Sequence, residues 1–591
     1  MTFKISNQIP MNNPLIQNTL SIISRTTKKS MVWQIFGVIL VVTNFLTLSL
    51  FHWDWTLDDS YISFRFADNL SDGNGIRWNS TDESPLEGFT SFLWVISLAL
   101  LNFLGLETLD AAKCLGIFSS LFTMGILFWQ GNPKDSPLVS FFAIIAISTH
   151  PYIFVHAIAG METSFYMLFV TTQATLSIIA NRNYKLEYLY LGSITVTFMV
   201  RPESLVFSGA LFMGYLVVNR DRWMNICLHA LIATVIPSVT YWTAKSLYFG
   251  HIVPTPFMFK QGTDLTTWWT SNGLSYVLQF VSRSIMGGIA LIVTMWALKI
   301  KIRPIYLAVL IAVLIQLIYF TTVRPTVGIA DRFLLPFLPA FLLVVCEYIR
   351  LIINRQPQYV SNFSNYKTTI GKWVHVSILI LVLIWSVDTG HRYEQIVGLE
   401  NYFSNRVINP AIANSINNLD DNPQNVVLAT GEAGALPYIT GYRHIDFYGL
   451  ASEKIAYSGW NSNVIYEANP DIIITHSIKF SAIDGKYIPD QGEIQEYVAP
   501  YMHLNSIPPY EIGTGLTSYL LMLDKRFEEY HLVRDINNPE SDKQFYIFAR
   551  RDSKYFESII QKTKAIDLES EIQKYRRKHS VNGFAQYLNF W

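Results

Sequence analysis

The chain is 591 residues long, 51% hydrophobic and only 15% charged, with 44 basic and 44 acidic residues and no net charge. Soluble proteins carry about 25% charged residues, so most of this chain belongs in a bilayer. The charge balance excludes a nucleic-acid binder working through a basic field, and also a disordered polyelectrolyte. As many charged residues fall in 391–591 as in the much longer 1–390, which predicts a membrane part followed by a soluble part of ordinary composition. Cys114, Cys227 and Cys346 all lie in apolar runs and read as small core hydrophobes rather than disulfides or zinc ligands.

Residues 1–30 form a polar tail ending in Arg25, Lys28 and Lys29. Met31–Phe51 then runs without a charge over the length that spans a bilayer. No small-residue cleavage site follows, so it reads as an uncleaved signal anchor with the tail in the cytoplasm. Further apolar runs occupy 88–106, 111–129, 137–157, 162–180, 186–200, 203–219, 226–248, 285–300, 304–322, 332–352 and 372–388. Basic turns belong on the cytoplasmic side. Arg182/Lys185, Arg220/Arg222, Lys299/Lys301/Arg303 and the Arg350–Lys372 loop satisfy that rule together only if 88–106 does not cross. This segment is then a juxtamembrane helix. Eleven crossings remain, and the chain divides into a cytoplasmic tail (1–30), a membrane domain (31–389) and an external domain (390–591). Short β-like runs at Asn425–Thr430, Asp471–Thr475 and Phe545–Ala549, with helical stretches between and after them, make the external domain α/β.

The densest polar signal is the first external loop, Trp53-Asp54-Trp55-Thr56-Leu57-Asp58-Asp59-Ser60-Tyr61-Ile62-Ser63-Phe64-Arg65-Phe66. A carboxylate pair at the membrane exit, Asp58 and Asp59, can hold a divalent cation or supply a general base. A plain helix cap before Tyr61 is the competing reading. Gly73-Asn74-Gly75, Trp78-Asn79 and Glu87-Gly88-Phe89-Thr90-Ser91-Phe92-Leu93-Trp94 complete the loop.

Ionisable groups at membrane edges are costly to bury and are candidates for function. Glu162 in Gly160-Met161-Glu162-Thr163 and the Arg201-Pro202-Glu203 triplet fall on the same external side, where a structural Arg–Glu pair is the plain alternative. Gly250-His251-Ile252-Val253-Pro254-Thr255-Pro256, Lys260, Arg324, Asp331 and Arg332 lie in external loops. Cations there suit a phosphate at headgroup level, against the alternative that they anchor helix ends. Gly431-Glu432-Ala433-Gly434 lacks the third glycine and the βαβ setting of a dinucleotide site. No P-loop, H-E-x-x-H or G-x-S-x-G motif occurs, which argues against an ATP-driven pump, a zinc protease and a serine hydrolase.

Taken in order, the Asp58-Asp59-Ser60-Tyr61-Ile62-Ser63-Phe64-Arg65 segment, Gly73-x-Gly75, Trp78-Asn79, Glu87–Trp94, Gly160–Thr163, Arg201–Glu203, Gly250–Thr255, Arg332-Phe333-Leu334-Leu335-Pro336 and Ile445-Asp446-Phe447-Tyr448-Gly449-Leu450 resemble bacterial GT-C glycosyltransferases. The nearest group in pattern is the terminal arabinofuranosyltransferases, over roughly 31–350 and 425–455. Ser60 and Pro254-Thr255-Pro256 depart from that pattern. The resemblance implies a GT-C fold in the bacterial inner membrane, with juxtamembrane helices in the first loop and an extracytoplasmic active site. It implies an inverting transfer from a polyprenyl-phosphate-linked sugar to a cell-envelope glycan or glycolipid. Asp58 and Asp59 supply the catalytic base, with Asp58 favoured. Tyr61, Arg65, Glu87, Glu162, Arg201, Glu203, His251, Lys260 and Arg332 form the substrate-binding set. No cofactor is assigned; a divalent cation is the one candidate, with Asp58, Asp59 and Glu162 as its ligand candidates. The competing classes are a transporter of lipid-linked saccharide, which needs polar pairs at mid-membrane, and an inactive membrane scaffold.

Overall fold

The computed structural model describes residues 34–134, 136–260, 271–297, 301–323, 328–359, 403–478, 481–483, 486–488, 520–537 and 543–579. The expected tail (1–30), the last expected run (372–388) and Arg324 lie outside the described residues.

Among the described residues six helices are long and apolar enough to cross a membrane: α1 (Gln34–Phe51), then Thr108–Gln130, Thr163–Ala180, Arg220–Phe249, Gly273–Val293 and Pro304–Thr321. A bent pair, Pro137–Ser148 with Tyr152–Ile158, makes a seventh. The expected eleven are therefore not all present as full-length apolar spans. Glu187–Val200 and Ser204–Val218 have only 14 and 15 residues, and Leu338–Tyr359 carries Glu347 and Arg350 within its length.

The run 137–157, expected as one crossing, is broken by Pro151, which starts its own helix. Proline disfavours helical backbone in the residue before it. His150 is accordingly extended at φ −71°, ψ 120°, and its ring accepts from the Tyr152 amide to cap the second piece. The two pieces meet at 62°.

The first loop folds into two helices, α2 (Ser60–Ser71) and α3 (Phe92–Phe103). At 12 residues, α3 is about 18 Å long and cannot cross a hydrocarbon core of about 30 Å. It lies against α2, as expected for a juxtamembrane element.

The C-terminal domain is a five-stranded sheet in the order β2-β1-β3-β7-β6. The strands are β1 (Val427–Thr430), β2 (Arg443–Asp446), β3 (Ile472–Ile478), β6 (Tyr530–Asn537) and β7 (Lys543–Arg550); β4 (Ser481–Ile483) and β5 (Lys486–Ile488) pair separately. β2, β1 and β3 are parallel, β7 runs antiparallel to β3, and β6, antiparallel to β7, points the same way as the first three. Isoleucines 472–474 are buried on both faces of the sheet, as parallel strands covered on both sides require. One face packs on α14 (Phe403–Ile416) through Ile408, Ile412 and Ile416, and the other on Phe447, Ile455 and Trp460.

The two domains share one apolar core. Ala433 and Ala451 are buried in the same cluster as the first-loop residues Phe64, Phe66, Trp78 and Phe89.

Candidate active site

The site is built where four separated segments meet beneath the sheet. The turn before α2 supplies Asp58 and Asp59. It is tied down by Leu57 N donating to Ala159 O at 3.0 Å and by Ser60 Oγ donating to the same carbonyl at 2.6 Å. Gly160, at φ +79°, makes this approach possible, since a Cβ there would meet Phe64 at 2.7 Å and Ser60 at 3.0 Å. Glu162 follows in the same turn and starts the helix Thr163–Ala180.

Arg332 enters from a turn in which two non-glycine residues, Ala330 (φ 51°) and Asp331 (φ 56°), adopt left-handed backbone. Such residues cost about 1–3 kcal/mol each and persist only when their surroundings hold them. Here the His156 ring nitrogen contacts Ala330 O at 2.8 Å, and Phe333 N donates to Tyr276 Oη at 3.1 Å. The turn delivers the Arg332 guanidinium between two acids: Nη2 donates to Glu162 at 3.1 Å and Nη1 faces Asp59 at 3.8 Å. Arg201 bonds to Glu162 from the other side and to Glu203 at 2.6 Å. The result is a continuous Asp59–Arg332–Glu162–Arg201–Glu203 chain of alternating charge. Burial works to raise the Glu162 pKa, but the two arginines win and hold it near 2. Asp59 keeps 38% of its side chain exposed, whereas Glu162 keeps 2%, so the chain opens to solvent at Asp59.

Asp58 turns the other way, into the C-terminal domain. Its Oδ1 accepts from the Ala435 amide at 3.1 Å and from Asn409 Nδ2 at 3.3 Å. Gly434 leaves the necessary room: a Cβ there would sit 1.9 Å from Asp58 Oδ2. Asn409 Nδ2 also donates to Glu432 at 3.1 Å. Burial first, then Glu432 and Asp59, push the Asp58 carboxyl up to about 8 against the opposing pull of its two donors.

The sequence-derived set divides accordingly. Asp58, Asp59, Glu162, Arg201, Glu203 and Arg332 converge. Tyr61 lines the same corner, its ring 5.2 Å from Tyr438. Arg65, expected to bind substrate, instead staples the two domains: it is buried and donates to Trp78 O (2.7 Å), Asn79 Oδ1 (2.9 Å), Tyr442 O (2.7 Å) and Pro437 O. His251 is hydrogen-bonded to Glu453 and stacked on Tyr457 at 4.5 Å. Glu87 is paired with Lys245 at 3.0 Å; burial raises its carboxyl to about 7 although Lys245 opposes the shift. Lys260 ends the helix Thr255–Lys260, and its side chain lies outside the described residues. Asn409, Glu432 and Gly434 were not among the expected site residues. The G-E-A-G spacing is visible in the sequence, but nothing local ties it to Asp58.

Among the described residues no three carboxylate, histidine or cysteine groups are placed to hold a metal ion. The three candidate ligands do not fit one: Asp58 faces the C-terminal domain, and the gap between Asp59 and Glu162 is filled by the Arg332 guanidinium.

Trp78-Asn79 completes the seam. Trp78 Nε1 donates to His444 Nδ1 at 3.0 Å, His444 N donates to Asn79 Oδ1 at 2.8 Å, and the other ring nitrogen of His444 meets Thr430 O at 2.9 Å. Burial, then Arg65, lower the His444 pKa to about 3, so the ring is neutral and bridges as both acceptor and donor.

Comparison with known proteins supports this architecture. A family model described as a domain of unknown function (DUF8728) matches residues 400–548. No curated protein matches. Among solved structures, ArnT from Cupriavidus metallidurans bound to undecaprenyl phosphate superposes with a TM-score of 0.51 at 14% identity, covering 79% of this chain and 95% of that one. The apo form of the same protein gives 0.50 at 14% identity, covering 80% and 96%. The chain has the GT-C fold, a multi-pass helical membrane domain joined to a C-terminal α/β domain.

Proposed function

We propose that this protein is an integral-membrane glycosyltransferase that takes its sugar from a polyprenyl-phosphate carrier. One observation carries the reading: within a GT-C fold, Asp59 of the first-loop carboxylate doublet converges with Glu162, Arg201 and Arg332 from three distant segments, while its neighbour Asp58 faces the C-terminal domain. The bound lipid phosphate of the structurally similar ArnT supports the donor class.

In this reading Asp58 is the base. A carboxyl whose proton affinity is raised towards ambient pH is well matched to accept a proton from an acceptor sugar hydroxyl. The hydroxyl oxygen attacks the anomeric carbon as its proton passes to Asp58. The bond to the carrier phosphate breaks, its electrons remain on the phosphate, and the configuration inverts. Arg332, already paired on its Asp59 side only at 3.8 Å, is the cation available to the developing phosphate charge. An extracytoplasmic cell-envelope glycan or glycolipid is the acceptor class, and an arabinofuranose-like pentose is the first donor to try. The polar groups cluster at helix ends rather than at mid-membrane, which favours an enzyme over a transporter.

The test uses purified protein in nanodiscs with a panel of polyprenyl-phosphate sugars, alongside lipid analysis of native cells lacking the protein. Release of polyprenyl phosphate that requires acceptor, with accumulation of one lipid-linked sugar in the deletion strain, is the expected result. Transfer at near wild-type rate by an Asp58→Asn, Asp59→Asn double variant would overturn it.

A further inference from the structure

We infer that Asn409 and Glu432, both contributed by the C-terminal domain, are positioning residues for Asp58: Asn409 holds the Asp58 carboxylate in place and brings a second acid, Glu432, onto the same amide, and together they set how readily Asp58 gives up its proton. The inference rests on the reading of Asp58 as base.

The geometry is specific. Asn409 is fully buried on α14, and its single amide nitrogen reaches Asp58 Oδ1 at 3.3 Å and Glu432 Oε2 at 3.1 Å. Its carbonyl oxygen is buried with no hydrogen-bond partner among the described residues. A buried amide that leaves its oxygen unpaired while its nitrogen serves two acids is held by those acids, since the flipped amide would set oxygen against both. A second acid on the same buried amide makes the charged form of Asp58 costlier. Among the described residues, the other groups facing Asp58 do not supply a compensating cation: Asp59 on its own turn is acidic, Tyr61 on α2 is a neutral phenol, the Ala435 amide is a dipole, and Arg332 is engaged by Asp59 and Glu162. The Asp58 carboxyl is raised by burial and then by Glu432, in keeping with that cost. The C-terminal domain thereby sets the pH at which the membrane domain has a free base.

The test compares pH–rate profiles of the full-length protein. Glu432→Gln removes the repelling charge, so the acidic limb should move down by roughly one unit or more, bringing the variant about tenfold closer to its plateau on that limb. Asn409→Ala removes a donor that favours the ionised form, so the limb should move up. A merely structural role would lower the rate without moving the limb. Infrared spectra provide a readout that needs no turnover. The protonated-carboxyl absorption at neutral pH should lose its Asp58 component in Asp58→Asn, weaken in Glu432→Gln and stay as strong as wild type in Asp59→Asn. If Asn409→Ala does not fold, Glu432→Gln decides alone. An unmoved limb together with an infrared band as strong in Glu432→Gln as in wild type overturns the inference. Retained transfer by the Asp58→Asn, Asp59→Asn variant overturns the assignment of the base instead, and leaves the infrared result standing.

Discussion

Arg332 donates to Glu162 across 3.1 Å, joining segments 170 residues apart in the chain. Glu162 is thereby held between two guanidiniums, while Arg332 keeps a looser contact to Asp59. Replacing Arg332 by Ala should lower turnover by about 10²-fold or more, the loss typical of removing a preorganised charge partner. Lys should rescue poorly, because a point charge cannot bridge Asp59 and Glu162 as the planar fork does. Steady-state kinetics with donor varied will separate a kcat effect from a KM effect, and an unchanged kcat would remove Arg332 from the chemistry.

Gly434→Ala tests the close approach at Asp58. Its Cβ would meet Asp58 Oδ2 at 1.9 Å and the Asp58 carbonyl at 2.7 Å, so backbone has to shift. A cost of about 1–3 kcal/mol in stability is expected, as for overpacking, with a disproportionate fall in turnover. Equal activity of the variant and wild type would show that Asp58 is not held there.

Arg65→Met should be damaging without touching the reaction centre. It strands the carbonyls of Trp78, Pro437 and Tyr442 and the amide oxygen of Asn79 in a buried seam. A loss of at least about 3 kcal/mol is expected, read as a lower melting temperature and as new proteolysis between the domains.

Turnover and stability should respond to pH in opposite directions. Asp58 binds its proton more tightly folded than unfolded, so it favours the fold below its ordinary value near 3.8 and withdraws that support as pH rises towards about 8. Glu87, raised to about 7, acts with the same sign. The melting temperature should therefore decline over this window while turnover climbs. Asp58→Asn should flatten both trends, and an unchanged decline in that variant would count against the assignment.

Topology is open to direct labelling. Cysteines placed at Thr81 and Glu107 flank α3 and are both exposed. Both should react with an impermeant reagent from the same, external face; labelling from opposite faces would make α3 a crossing.

The charged pieces of the site could be read from the sequence because each one interrupts an apolar stretch, where an ionisable group is expensive. Asp58, Asp59, Glu162, Arg201 and Arg332 announce themselves this way. Arg65 does so too, yet it serves the seam, because its true partners are backbone carbonyls of Pro437 and Tyr442 that no residue pattern marks. Asn409 and Gly434 carry no charge and sit in a domain of ordinary composition, so only the fold shows what they do. In the C-terminal domain β1, β3 and β7 were visible as β-branched or aromatic runs. Arg443–Asp446 and Tyr530–Asn537 were not, since polar residues and half-buried positions dilute their pattern. The break within 137–157 was signalled by Pro151, but hydropathy averaged across it.

The Arg65 seam also has a consequence for how the chain is made. Its guanidinium is satisfied by carbonyls that lie 372 and 377 residues further on. At 5–20 residues per second, synthesis delivers those partners roughly 20–75 s after Arg65 has emerged. Through that interval the first loop holds a guanidinium satisfied only by its own Trp78 and Asn79, with the faces of Phe66 and Trp78 still open. A chain that stops short of Tyr442 therefore lacks that partner and leaves this seam unclosed.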